Sequence, residues 1–170
     1  MADSYTRGQK VLHWLLAVLV SFWLLVSGQL AASSEGEQKG MILMFHSGGA
    51  LIIFALMMWR YSKRRKNLVQ PMSSLRSWEQ TWSVRIHLAF YILVAVMALT
   101  GILQGVFFEQ DVRVFGVVNI TAGHNESLMA LFNLIHNVAS KIFLALIALH
   151  ILAAIKHQFI DKQPFLKRMA

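Results

Sequence analysis

The sequence contains no cysteine. That excludes disulfides, Cys-ligated iron–sulfur clusters and thioether-attached cofactors. Charge is also scarce: 14% of the residues are charged, against about 25% in a typical soluble domain. Proline occurs only twice, at Pro71 and Pro164, and neither interrupts an apolar run, so nothing in those runs forces a kink or a break. What fills the space is apolar. The chain is 56% hydrophobic with a mean hydropathy of +0.54, a composition that belongs in a membrane.

Four apolar runs stand out, at approximately 11–31, 41–60, 84–106 and 128–155. Each reaches the ~20 residues needed to cross a bilayer. Hydrocarbon offers no water to satisfy backbone groups, so the runs are expected to be helices. The first is too long for a cleaved signal peptide, carries His13, and shows no small-residue cleavage site, so it is expected to stay as a spanning helix. No internal repeat or low-complexity stretch divides the chain. The expectation is a single domain over 1–170, all-α, folded as an up-down-up-down four-helix membrane bundle.

Basic residues are distributed unevenly. They cluster before the first run (Arg7, Lys10), between the second and third (Arg60, Lys63, Arg64, Arg65, Lys66, Arg76, Arg85) and after the fourth (Lys156, Lys162, Lys167, Arg168). The other two loops hold Lys39 and Arg113 against Glu35, Glu37, Glu109, Asp111 and Glu126. By the positive-inside rule both termini and the 60–85 loop are expected on the cytoplasmic side. The formal charge of +8 thus reads as topology signal and contact with membrane lipid, not as a nucleic-acid face.

Histidines sit inside the runs. In the fourth, His136, His150 and His157 are spaced by 14 and 7 residues, multiples of seven that share one stripe in a left-handed bundle. The first two are about 21 Å apart along a helix axis, much of the ~30 Å hydrocarbon thickness. His13 follows Arg7 by six residues and His46 follows Lys39 by seven. Depth therefore sorts four imidazoles into an inner pair, His13 with His150, and an outer pair, His46 with His136. Ionisable groups in hydrocarbon are costly without a partner or function. Four of them at matched depths on three helices suit bis-histidine ligation of two b-type haems, since neutral imidazole is a strong iron ligand and nothing here attaches a haem covalently. The plainer alternative is histidines that only hydrogen-bond between helices. A compact zinc site is disfavoured because the set is spread too far and lacks nearby thiolates and carboxylates.

The residues that carry these features resemble the bacterial cytochrome b561 family. The carrying motifs are His13-Trp14 in LHWLLAVL, the His46-Ser47-Gly48-Gly49 opening followed by Trp59-Arg60, Arg85-Ile86-His87 with Tyr91 and Leu99-Thr100-Gly101, then His136, His150 and the tail KHQFIDKQPFLKRM. The resemblance spans nearly the whole chain. It implies a four-helix bundle of the bacterial inner membrane with two haems b, His13 and His150 binding the inner iron and His46 and His136 the outer. It also implies electron exchange between ubiquinone or another membrane quinone and an outer-side donor or acceptor, either a periplasmic protein or, as in some members, superoxide. The acidic outer loops make a poor field for an anion and suit a cationic protein better.

Further candidates surround this set. His87, with Arg85 two residues before it, is read at the shallow inner end of the third helix, contacting a haem propionate or a quinone headgroup, or else solvent. His157 is a quinone-side candidate, useful as a proton acceptor. Gly48 and Gly49 are expected to leave room beside His46. Lys141, five residues past His136, has no assigned partner, and His124 is expected in solvent. Most of the five tryptophans read as interfacial anchors. Three functions follow: an oxidoreductase passing electrons between quinone and an outer-side partner, a non-catalytic electron-carrier subunit, or a His-lined proton or metal transporter without haem.

Overall fold

The structure, a computed structural model, describes residues 5–169. Four long helices dominate it: α1 (Arg7–Ser33), α2 (Gly36–Lys66), α3 (Ser77–Val106) and α4 (Glu126–Ile160). A short α5 (Phe165–Met169) follows. All four long helices are apolar and long enough to cross a membrane. Their ends lie well beyond the apolar runs because polar residues continue the helices and cap them. Thr6 and Gln9 form a reciprocal capping box at the start of α1, and the Glu79 carboxylate accepts from the Arg76 backbone N–H at the start of α3. Asn125 accepts from Leu128 at the start of α4. Each cap satisfies a backbone donor that the first helical turn leaves free. Lys63, Arg64, Arg65 and Lys66 end α2, where the helix dipole favours positive charge.

Packing is that of a membrane bundle. Leu12, Leu16 and Val20, four residues apart on α1, meet Ile53 and Met57 of α2, Tyr91 and Val94 of α3 and Phe143 of α4 in one central cluster. The outside is more apolar than the inside needs: Val18 is 67% exposed, Phe45 65% and Leu152 63%, a surface that only lipid or another protein covers without cost.

Two turns break the α-helical register. In α1 the Gly28 N–H bonds back five residues to the Trp23 carbonyl, closing a π turn over Trp23–Ser27. In α4 the Asp161 N–H does the same to Lys156, 3.0 Å away, closing a second over Lys156–Ile160. Such bulges insert one extra residue and re-aim every side chain beyond them. The segment between α3 and α4, expected as plain loop, carries a small antiparallel hairpin, β1 (Arg113–Val114) and β2 (Val118–Asn119). Its tip uses positive φ at Phe115 and Gly116, the twist that tight hairpins favour.

Candidate functional site

Paired imidazoles lie at both ends of the bundle. Where the termini meet, His13 faces His150 with ring centroids 6.5 Å apart and planes at 72°. At the hairpin end, His46 faces His136 at 6.3 Å and 61°. The structure thus brings together the members of both pairs inferred from depth. All four are half-buried.

Neighbouring groups fix the hairpin-end rings. The Ser27 hydroxyl lies 2.9 Å from His46 Nδ1, and the Trp23 indole N–H donates to the His46 carbonyl at 3.0 Å. Both partners come from the first π turn, which turns Ser27 inward. His136 Nδ1 donates to the Met97 carbonyl at 3.0 Å, with the Thr100 hydroxyl 3.2 Å away. A carbonyl can only accept, so Nδ1 holds the proton and Nε2 keeps its lone pair. Gly101 lets α3 approach this ring: a Cβ there would sit 3.4 Å from His136 Cε1. The room expected beside His46 is taken by protein. A Cβ on Gly49 would fall inside the Trp23 indole, and one on Gly48 would come within 2.7 Å of the Phe115 ring. What remains is a slot of about 60 Å³ bounded by His46, His136, Val20 and Phe143.

The other end is roomier. A cavity of about 430 Å³ is lined by His13, Trp14, Arg60, His87, Phe90, His150 and Gln158, with Phe165, Leu166 and Met169 of α5 across its mouth; that volume lies in the range of small-molecule sites. Val20 and Phe143 line both spaces and so form the wall between them. Arg60 Nη1 is buried in this region without a hydrogen-bond partner, an orphan that calls for an anionic group.

Three expectations change here. His87 is not shallow: α3 begins at Ser77, which places His87 in the cavity wall, its Nδ1 donating to the Ser83 carbonyl at 2.6 Å and its ring 5.3 Å from His150. Arg85 does not join it. It is exposed, with its guanidinium over the Trp82 ring, because two residues along a helix turn a side chain by about 200°. His157 does not continue the His150 stripe into the cavity. The second π turn shifts the register by one, so Gln158 lines the cavity instead, while His157 lies buried, bonded to Asp161 at 2.7 Å, 4.0 Å from Glu79 and stacked on Phe165. Lys156 bonds Asp161 at 2.7 Å and reaches Glu79 at 3.5 Å, so an ammonium already serves the carboxylates of this His157–Glu79–Asp161 group. Asp161, outside the spans, has its carboxyl held below the usual carboxylate range, first by the Lys156 hydrogen bond and next by that of His157.

Sequence reasoning missed Trp23, Ser27 and Arg60 as members of these sites. Only Arg60 left a signal, a cation placed just inside an apolar run.

A family profile described as prokaryotic cytochrome b561 matches residues 4–170. The chain belongs to the prokaryotic cytochrome b561 family. A search among curated proteins finds no match. The chain is therefore a multi-pass membrane protein of haem b electron transfer, a role that implies redox partners in the membrane.

The donor chemistry and spacing of both pairs fit haem iron, and of the two spaces the termini-end cavity is the one with room on the scale of the ring. Metal–imidazole bonds of about 2 Å, plus about 1.1 Å from nitrogen to ring centre, put two axial rings about 6 Å apart, centre to centre. The two pairs stand at 6.5 and 6.3 Å. His87 and His150, at 5.3 Å, are closer than such a sandwich. The orphaned Arg60 nitrogen suits a haem propionate.

Proposed function

We propose that the chain holds two haems b, one between His13 and His150 and one between His46 and His136, and passes electrons across the bacterial inner membrane between quinone and an outer-side partner. The observation that carries this reading is the pair of imidazole separations, 6.5 and 6.3 Å between ring centres, each close to the ~6 Å at which two imidazoles would hold one metal ion between them. Haem held there would supply reversible one-electron chemistry.

The chain's own residues do the rest. The Met97 carbonyl sets the tautomer of His136 and raises its basicity as a ligand, and the Ser27 hydroxyl holds the direction of the His46 ring. Arg60 offsets negative charge at the termini end, with His87 beside it in the wall. Val20, Phe90 and Phe143 keep water from the space between the pairs, where a dry, low-dielectric wall makes charge placement matter more. The termini end carries thirteen Lys and Arg against two, Lys39 and Arg113, in the loops at the other end, so it faces the cytoplasm by the positive-inside rule. Quinone meets the protein at that end. There His157, hydrogen-bonded to Asp161, is the group placed to hold and release a proton beside the cavity mouth. The outer-side partner is a periplasmic protein or superoxide; the carboxylates Glu109 and Asp111 favour a cationic protein.

Haem stoichiometry with single substitutions tests the reading. His13→Ala and His150→Ala are expected to lose one and the same component of the reduced-minus-oxidised spectrum, and His46→Ala and His136→Ala the other. One haem per chain, or substitutions that group differently, overturns the assignment. No b-type spectrum at all would favour a histidine-lined proton or metal transporter.

A further inference from the structure

Lys141 is a charge where a membrane helix should carry none. It lies about 22 Å along α4 from Glu126 and about 28 Å from Ile160 at the helical rise, so it sits near mid-membrane. Either edge of a ~30 Å hydrocarbon core is then about 15 Å away, farther than a lysine side chain can snorkel. Yet Lys141 is exposed on the outside of the bundle and lines neither cavity. It is not alone. Asn133 and Asn137, also exposed, precede it at four-residue spacing, and the Asn137 amide donates to the Asn133 side-chain oxygen. The three form one polar ridge along α4. Around it the surface is ordinary lipid-facing material: Leu134 is 61% exposed, Val138 47% and Ile142 48%.

Charge decides what covers the ridge. The chain has eight acidic residues, at positions 3, 35, 37, 79, 109, 111, 126 and 161, and the seven among the described residues lie at or beyond the helix ends. A second copy therefore brings no carboxylate to this depth. A two-fold axis along the membrane normal would instead set equal depths side by side, lysine against lysine. A lipid phosphate stays at the headgroup level and does not reach mid-membrane.

We propose that the Asn133–Asn137–Lys141 ridge is the docking face for a transmembrane helix of a different protein, one that carries a carboxylate at mid-membrane depth. Lys141 pairs with that carboxylate, and the two asparagines supply amide hydrogen bonds along the same seam, the kind of polar contact that joins helices in lipid. The inference is independent of which histidines bind haem.

The test uses the full-length protein in lipid vesicles, fluorescently labelled, with three synthetic Leu/Ala transmembrane peptides that differ only at the central residue: Glu, Gln or Leu. The Glu peptide is expected to associate about tenfold more tightly than the Leu peptide, and Lys141→Met to remove that preference while Lys141→Arg keeps it. An unchanged absorption spectrum of each variant reports intact folding. Equal binding of Glu and Leu peptides, or a preference that survives Lys141→Met, overturns the proposal. Gln binding as tightly as Glu overturns the carboxylate. Self-association of the chain that is lost in Lys141→Met overturns it in favour of a second copy.

Discussion

Arg60 shows how one side chain can tune a site without ligating it. Its guanidinium stands at the termini-end cavity with a buried nitrogen unpartnered. A fixed positive charge near a haem favours the electron-rich state, so Arg60→Met is expected to lower the potential of the haem assigned to His13 and His150. Redox titration would show a shift of tens of millivolts, where about 59 mV is a tenfold change for one electron; an unmoved midpoint would place the guanidinium elsewhere. Ser27 acts on the other pair. Removing its hydroxyl in Ser27→Ala frees His46 Nδ1, and losing such an orienting bond costs about 10–100-fold in metal affinity. Haem retention during detergent washing is the measurement, and the spectrum assigned to His46 and His136 should be the one that fades.

At the scale of elements, the two π turns matter most. The first delivers both Trp23 and Ser27 to His46, and Gly49 is the price in α2 for that indole's position. Gly49→Ala sets a methyl inside the Trp23 ring. Overpacking of this kind costs about 1–3 kcal/mol, and the Trp23–His46 hydrogen bond should break with it, seen as a lowered melting temperature and a disturbed hairpin-end haem; Gly101→Ala, whose methyl would rest in ordinary contact 3.4 Å from His136 Cε1, should be milder. The second π turn buries His157 against Phe165 and so seats α5 over the cavity mouth, helped by the Trp14 indole donating to the Met169 carbonyl at 2.8 Å. Asp161 anchors that turn. Its carboxyl titrates below the ordinary range because Lys156 and His157 hold it ionised, so its contribution is present above the unfolded carboxylate pKa of about 3.9 and is lost as pH falls through the lower folded value. Asp161→Asn should therefore loosen α5 at neutral pH, read as faster proteolysis after Ile160, with the difference from wild type vanishing in acid.

For the whole molecule, orientation and partner decide function. Because the chain has no cysteine, single cysteines report topology cleanly. A cysteine placed by Val117→Cys at the hairpin tip, where the native residue is 79% exposed, should react with an impermeant maleimide in intact cells, and one placed by Ser73→Cys should not. The reverse pattern would turn the proposed electron path around. In vesicles loaded with quinone, superoxide-dependent reduction above protein-free controls would mark an enzyme, and its absence an electron-carrier subunit.

Much of this was written in the sequence. Membrane residence, four spans and the depth of each imidazole follow from where apolar runs start and stop, because a bilayer allows only helices and each residue advances one by a constant rise. The family resemblance lay in His13, His46, His136 and His150 with the residues next to them. Depth along an axis is legible in this way; direction around it is not, once a turn departs from α geometry. Neither π turn has a mark in the residues, and so Gln158 in place of His157 and Trp23 filling the space beside Gly49 emerged only from the packed bundle, as did Arg60 in place of Arg85, which depends on how two regular helices face each other. The sequence determined how deep each group lies, and the tertiary structure decided which of them face one another.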